Sequence, residues 1–92
     1  MPSIEIEWTA YMHYRAELRG FDLDELEEIV RYSSERYRDT ASGRLVVVGH
    51  HGRKLVLIPY EVQKNVVTPI TVHATTRQQI NFRLRTGRFA YE

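Results

Sequence analysis

The 92-residue chain contains no cysteine and no long apolar run. Without thiols it can form no disulfide, no thiolate zinc site and no cysteine nucleophile. No stretch approaches the roughly 20 apolar residues of a membrane-spanning helix. The charged N-terminus also lacks the apolar segment of a signal peptide. We therefore predict one soluble, cytoplasmic domain over residues 1–92, without a membrane partner.

The chain also lacks the short motifs of several enzyme classes. It has no Gly-rich phosphate loop, no HExxH and no GxSxG, and so gives no sign of nucleotide hydrolysis, metalloproteolysis or a hydrolase nucleophile elbow. The carboxylates between residues 22 and 28 have no histidine at metal-ligand spacing. We expect neither a metal nor a cofactor.

Acidic residues are missing from most of the C-terminal half. No Asp or Glu occurs from Val62 to Tyr91, so residues 44–92 carry a net charge of +6, whereas residues 1–43 carry −5. A cationic half favours a polyanion such as RNA, or an acidic protein partner. Neutralisation of one half by the other within a single fold explains the asymmetry equally well.

Capping residues and apolar spacing predict three helices. Thr9 caps the first helix, which carries Tyr11, Tyr14 and Leu18 on one face and stops at Gly20. The second helix follows a cap at Asp22, and its negative first turns suit the helix dipole. Its predicted buried stripe comprises Leu23, Leu26, Ile29 and Val30.

The last helix is predicted to begin at Thr75 or Thr76 and to be basic. Arg77, Asn81, Arg85 and Arg88 fall on one of its stripes. Strands are predicted over residues 4–8, 35–40, 44–49, 54–60 and 66–72. These elements predict an α+β fold, with two N-terminal helices and a C-terminal helix packed on one face of an antiparallel sheet of three to five strands.

His73 and Arg77 are the strongest catalytic candidates. They follow a predicted buried strand segment at residues 70–72 and accompany the start of the basic helix, so both can converge on one phosphate. Histidine serves as base or acid near neutral pH, and arginine matches phosphate oxygens. A lone histidine is more often a capping or core residue. A surface ion pair, for example with the acidic second helix, is the alternative role for Arg77.

Lys54 and Tyr60 complete the predicted catalytic set. Tyr60, at the end of a central strand and near Lys54, is the tyrosine most expected to stack on a base. The predicted RNA-binding residues are His51, Arg53, Arg85 and Arg88. His51 and Arg53 belong to a hairpin turn at residues 50–53, for which an ordinary exposed turn is the preferred explanation. Two adjacent histidines in a turn are too few ligands for a metal site.

Three segments resemble the BrnT-type toxins of the RelE-like ribonuclease superfamily. Residues 18–25 resemble the family's helix–Gly–helix junction, and residues 43–57 its central hairpin. The run Ile-Thr-Val-His-Ala-Thr-Thr-Arg at residues 70–77 is similar to its Ile-Ser-Ala-Arg-x-Ala-x-Arg segment. The resemblance implies a RelE/BrnT-like domain that acts as a metal-independent endoribonuclease, the toxin of a type II toxin–antitoxin system, inhibited by a cognate antitoxin protein.

Two departures from the family pattern put catalysis in question. His73 stands where the family has arginine, and Gln79 stands where it commonly has glutamate. A non-catalytic RNA- or protein-binding module of the same fold is therefore the alternative. A homodimer is a third hypothesis, based on Phe82 and Phe89 lying off the face that Ile80 and Leu84 share.

Overall fold

The computed structural model describes residues 4–92. Within them, three helices and seven strands follow in the order β1 (Glu5–Ile6), α1 (Ala10–Arg19), α2 (Leu23–Tyr32), β2 (Arg36–Asp39), β3 (Leu45–His51), β4 (Lys54–Gln63), β5 (Val66–Pro69), β6 (His73–Thr75), α3 (Arg77–Arg85) and β7 (Phe89–Tyr91). The fold is α+β, as predicted, but the sheet is larger than the predicted three to five strands. None of the helices in this range has the length and apolar character needed to cross a bilayer.

The long strand β4 organises the sheet. One flank of β4 pairs with β3, and the other flank pairs with β6 over Leu55–Leu57 and with β5 over Tyr60–Gln63. The sheet order is β1-β5-β4-β3-β2-β7, with β6 beside β4. All of these pairings are antiparallel except β1 with β5, which is parallel. The prediction of an antiparallel sheet is therefore correct for the central strands, whereas the edge strand β1 makes the sheet mixed.

The predicted strand over residues 66–72 is divided in the structure. Pro69 ends β5, and the following amide, that of Ile70, donates to the Pro59 carbonyl at 2.8 Å. Pro59 and Pro69 have no N–H to donate to a ladder, and β4 changes its partner from β6 to β5 between Leu57 and Tyr60. Residues 70–72 are not a strand. His73 instead begins β6, so the predicted strand was three residues too long and β6 was not predicted.

The sheet separates two apolar clusters. On one face, Met12 of α1 and Leu26 of α2 pack in a cluster with Val47, Val56 and other sheet residues. On the other face, Ile80 of α3 belongs to a cluster formed by Tyr37, Val46, Val48, Leu55, Leu57 and Phe89. The prediction that all three helices share one face was wrong. Consecutive residues of β3 and β4 are apolar, so both faces of these strands are buried and both need a cover.

The predicted caps of the helices are present. Thr9 and Thr76 accept hydrogen bonds from the amides of Met12 and Gln79, at 3.0 and 3.1 Å. Asp22 accepts from Asp24 in the same way, at 3.1 Å. These side chains satisfy amides that have no partner within the helix.

The structure completes one prediction about helix faces and contradicts another. The α1 face that carries Tyr11, Tyr14 and Leu18 is exposed, and Met12 and Ala16 are the residues that α1 buries. In the last helix, Arg88 does not extend the basic stripe, because α3 ends at Arg85. Gly87 adopts a φ of 80°, and the chain then turns into β7. Phe89 is buried there, so of the two phenylalanines on which the homodimer hypothesis was based only Phe82 is exposed.

Candidate functional site

A groove of about 490 Å³ lies on the α3 face of the sheet, and we call it the basic groove. Its floor includes Val46, Leu57 and Pro59. Four basic side chains line it, namely Arg44, His73, Arg83 and Arg88. Asp39 is the only carboxylate among the lining residues. This distribution of charge suits an anionic ligand.

Different elements bring the basic residues to this groove. His73 lies opposite Leu57 in the β6–β4 pairing, and directly opposite residues of antiparallel strands share one face of the sheet. Arg83 projects from α3, with its guanidinium 5.3 Å from the centre of the Phe89 ring. Arg44 directly precedes β3. The sheet and α3 together therefore assemble a cationic site from distant parts of the chain.

His73 is the only histidine that lines the basic groove. The pKa of His73 lies below its ordinary value of 6.5, mainly because partial desolvation disfavours the charged ring. The positive charges of Arg15, Arg19 and Arg83 lower this pKa further. The residue nevertheless remains exposed to solvent. A neutral, accessible imidazole near neutral pH can accept a proton from a bound ligand.

Arg88 is the groove arginine that is already matched to a carboxylate. Its Nε and Nη2 atoms donate to the two oxygens of Asp39, at 2.7 and 3.1 Å. This pairing lowers the pKa of Asp39. Nearby, the Thr40 hydroxyl donates to the Gly87 carbonyl at 2.7 Å. Arg88 thus holds the start of β7 against β2, and an anion would compete with Asp39 for it.

Arg44 and Arg83 are better placed to bind an added anion. The contact of Arg44 with Glu61 spans 3.5 Å between two exposed side chains, and such pairs contribute little. Among the described residues, no carboxylate lies within ion-pair distance of Arg83. These two guanidiniums and His73 are therefore the groups that can meet a phosphate in the groove.

Arg77 lies outside the lining of the basic groove. Its Nη2 donates to Oε1 of Glu35 at 2.7 Å, and its Nη1 donates to the other oxygen. Tyr37 also donates to Glu35, at 2.7 Å. The Arg77 hydrogen bond lowers the pKa of Glu35, whereas burial and the bond to Glu35 raise the pKa of Tyr37 to about 12. Arg77 therefore forms the ion pair that was its alternative role, but its partner is Glu35, which follows α2, and not a residue of that helix.

Tyr60 and Lys54 lie on the opposite side of the sheet from His73. Tyr60 is only 3% exposed, and the Arg36 guanidinium lies 5.5 Å from its ring centre. The Lys54 ammonium lies 5.8 Å from the ring centre of Phe21. Each is three positions from Leu57, and strand side chains alternate between faces. The structure therefore places these two predicted catalytic residues across the sheet from His73 and outside the basic groove.

The predicted RNA-binding residues are scattered. His51 Nε2 accepts a hydrogen bond from the Asp22 amide at 2.8 Å, closer than the Glu25 carboxylate at 3.7 Å. This nitrogen cannot accept from the amide and donate to Glu25 at once, so we assign His51 to holding the start of α2. Arg53 is exposed in the β3–β4 turn, and the Arg85 guanidinium lies 5.9 Å from the ring of exposed Phe82. Only Arg88 of this predicted group lines the groove.

The sequence prediction of site residues omitted Arg44 and Arg83. For Arg83 a signal existed, because Gln79 and Arg83 are four residues apart and flank the apolar stripe of Ile80 and Leu84. Residues beside the buried stripe of a helix border the surface on which it packs. For Arg44 no local signal existed, because only the pairing of β3 with β4 places it near Pro59.

Within residues 4–92, no group of three His, Asp or Glu side chains is arranged to hold a metal ion. No protein-family profile matches this chain, and searches of curated proteins and of solved structures find no significant match. The geometry of the groove therefore carries the functional argument.

The carboxylates that pair with arginines make the fold sensitive to acid. A carboxyl with a depressed folded-state pKa stabilises the protein above its unfolded pKa of about 4, and this contribution is lost as the pH falls through the folded-state pKa. Glu35 is such a group. We expect Glu35→Gln to lower the free energy of unfolding by about 1 kcal/mol at neutral pH, and by much less in acid. Urea unfolding at both pH values measures this difference.

Glu28→Gln is the matched control for this experiment, because Glu28 is exposed on α2. It should have little effect on the free energy of unfolding at either pH. An equal loss for Glu35→Gln at neutral and acidic pH would contradict the assignment, since it would show that the lost stability does not depend on the charge of Glu35.

Proposed function

We propose that this protein binds RNA in the basic groove and cleaves it without a metal ion, as the toxin of a toxin–antitoxin pair. The observation that carries the proposal is the convergence of His73, Arg44 and Arg83 on one groove. A phosphodiester in this groove meets guanidiniums for its oxygens and an imidazole for proton transfer. The toxin role rests on the resemblance of residues 18–25, 43–57 and 70–77.

The proposed cleavage is an attack within the RNA strand. His73 accepts the proton of the 2′-hydroxyl, and the 2′-oxygen forms a bond to phosphorus. The bond between phosphorus and the 5′-oxygen then breaks, and the departing oxygen takes a proton from water. The resulting hydroxide takes the proton from His73 and restores the neutral ring. Arg44 and Arg83 neutralise the negative charge that develops on phosphorus-bound oxygens. The products are a 2′,3′-cyclic phosphate and a 5′-hydroxyl.

A non-catalytic RNA-binding module is the second candidate. It is favoured by the pairing of Arg77 and Arg88 with Glu35 and Asp39, because these two predicted site residues are already neutralised. In this case the groove binds RNA through Arg44 and Arg83 without turnover. A cognate antitoxin, if it presents acidic residues, would compete with RNA for the same groove in either case.

Two oligonucleotides of one sequence separate these functions. The purified protein is mixed, in the presence of EDTA, with an unmodified RNA and with its 2′-O-methyl counterpart. We expect binding of both, and cyclic-phosphate ends from the unmodified RNA alone. Binding of both without cleavage of either identifies the non-catalytic module. Failure of the unmodified RNA to bind at low salt would rule out both functions.

Removal of the unpaired groove arginine is expected to weaken RNA binding. Arg83→Gln should reduce the affinity about tenfold, since hydrogen bonds to charged groups contribute about 1.5–3 kcal/mol. The slope of log affinity against log salt should become shallower by about 0.7, the value for one phosphate contact on a single strand. Fluorescence anisotropy at several salt concentrations measures both quantities.

Arg38→Gln is the charge-matched control for Arg83→Gln. Arg38 is exposed on β2, two residues from Arg36, which lies opposite Val47 of the α1–α2 cluster. It therefore projects from the face that lacks the groove. If the two variants lost the same affinity, binding would follow net charge and the groove would not be the site.

A further inference from the structure

Basic side chains from three elements surround the outer edge of β6. Within the described chain, β6 pairs with β4 alone, so its other edge is open. His73 lies on this strand. Met12 and Ala16 of α1 belong to the same apolar cluster as Val72, the residue before β6, so α1 packs next to this strand. Besides partial desolvation, the positive charges of Arg15 and Arg19 on α1, and of Arg83 on α3, lower the pKa of His73. Because α1 and α3 cover opposite faces of the sheet, cationic groups lie on both sides of one open edge.

The two α1 arginines have no anionic partner in the part of the chain that the structure describes. They are four residues apart, so they lie next to each other on the helix surface. Arg15 is half-buried, and its buried Nε has no hydrogen-bond partner among the described residues. A desolvated guanidinium N–H without an acceptor is costly. This pair is therefore suited to an external anion.

Aromatic side chains accompany these arginines on α1. Tyr11 is four residues before Arg15 and three residues before Tyr14, so Tyr11 neighbours both on the helix surface. Their side chains are 53% and 61% exposed, far more than is usual for aromatic residues of a small core. Exposed aromatic rings next to cationic groups are typical of surfaces that bind single-stranded nucleic acid, because the rings stack on bases while the cations bind phosphates.

We propose that a single strand of RNA leaves the basic groove, crosses the open edge of β6 and continues onto α1. Arg15 and Arg19 bind its phosphates there, and Tyr11 and Tyr14 stack on its bases. This second binding segment rests on the proposed RNA-binding function of the groove. It adds that substrates long enough to cross the edge bind more tightly than those that fill the groove alone.

Oligonucleotide length separates the two segments experimentally. A dinucleotide can occupy the groove alone, whereas an oligonucleotide of about 12 nucleotides is within the usual range of single-strand sites. We expect Arg15→Gln/Arg19→Gln to weaken binding of the longer RNA about tenfold, with a salt slope shallower by about 1.4 for two lost contacts. Binding of the dinucleotide should be nearly unchanged. Anisotropy titrations at several salt concentrations measure these values.

Arg38→Gln/Lys64→Gln removes the same charge elsewhere and is the control. Arg38 is exposed on β2, and Lys64 is exposed in the turn beyond the far end of β4 from β6. This control should weaken binding of the longer RNA much less than Arg15→Gln/Arg19→Gln does. Equal losses in the two double variants would overturn the proposal, because they would show a response to net charge alone.

Substitutions of Tyr11 test the stacking contact. They also give a result that does not depend on whether the Arg15→Gln/Arg19→Gln variant folds. Tyr11→Phe keeps the ring and should bind the longer RNA as the unmodified protein does. Tyr11→Ala should weaken binding about 30-fold, the middle of the range for one stacked base. Arg19→Gln alone, at an exposed position, is the milder charge variant. Equal losses for Tyr11→Phe and Tyr11→Ala would count against stacking and overturn the proposal.

The experiments can disprove RNA binding by the α1 segment without disproving RNA binding by the groove. If Arg83→Gln weakens both RNAs and the α1 variants weaken neither, the second segment is disproved and the groove function stands. If an acidic peptide binds α1 as tightly as the longer RNA and Tyr11→Ala does not change RNA binding, α1 is a protein-binding surface instead. If the unmodified protein binds neither RNA, both proposals fail.

Discussion

Replacement of His73 by alanine is expected to abolish most RNA cleavage while RNA binding persists. A positioned general base contributes about 10²- to 10⁴-fold to a rate, so the cleavage rate should fall by a factor in this range. His73 is the only histidine that lines the groove, and Arg44 and Arg83 remain to bind phosphate. Single-turnover cleavage and anisotropy, measured on the same RNA, separate the two effects.

The pH dependence of cleavage tests the protonation state of His73. The neutral ring is the base, so kcat/KM should rise with pH, pass an inflection below 6.5 and then level off, because the pKa of His73 is lowered. Arg83→Gln removes one of the charges that lower this pKa. Its inflection should therefore move to higher pH. A role for Arg83 in binding alone would reduce the rate without moving the inflection.

Two further substitutions define what His73 does. His50→Ala is the control, because His50 is exposed on β3 and does not line the groove, and it should cleave as the unmodified protein does. His73→Arg introduces the residue that the BrnT-type family has at this point. It should bind RNA but cleave slowly, because arginine stays protonated. Faster cleavage by His73→Arg would show that charge, and not proton transfer, drives the reaction.

Gly49→Ala is expected to destabilise the fold by about 1–3 kcal/mol, the cost of forcing extra methyl groups into a packed core. A Cβ atom at residue 49 would lie 2.7 Å from Cγ2 and 2.9 Å from Cγ1 of Ile29. Ile29 is buried between α2 and the sheet and has little room to move. In an open strand, alanine would instead be favoured over glycine. The contact with Ile29 therefore decides that Gly49→Ala destabilises the fold and does not stabilise it.

A double-mutant cycle isolates this contact. Ile29→Ala alone should cost about 2–5 kcal/mol, because it leaves a cavity. In that background the methyl group of Gly49→Ala occupies vacated space, so the second substitution should cost little or add stability. Thermal unfolding of the four proteins measures the effects, at about 4–8 °C per kcal/mol for a domain of this size. Additivity within about 0.5 kcal/mol would show that residues 29 and 49 do not interact.

Much of the secondary structure could be predicted because its signals are local. Thr9 and Asp22 cap their helices through amides two or three residues away, and the β3–β4 hairpin joins apolar runs across a short turn. The end of α3 was predicted less well, and β6 was not predicted. Both depend on pairing with distant strands, since β7 pairs with β2 and β6 pairs with β4. Such long-range pairing can override local preference.

The sequence by itself determined the α+β class, the helix caps and the excess of positive charge in the C-terminal half. These features depend on composition or on residues within one helical turn of each other. Only the tertiary structure decided which cationic side chains line the same groove. His73 joins Arg44 and Arg83 because β6 pairs with β4 and α3 covers the same face, whereas Tyr60 faces the other side of the sheet. Strand alternation and long-range pairing separate or unite residues regardless of their distance along the chain.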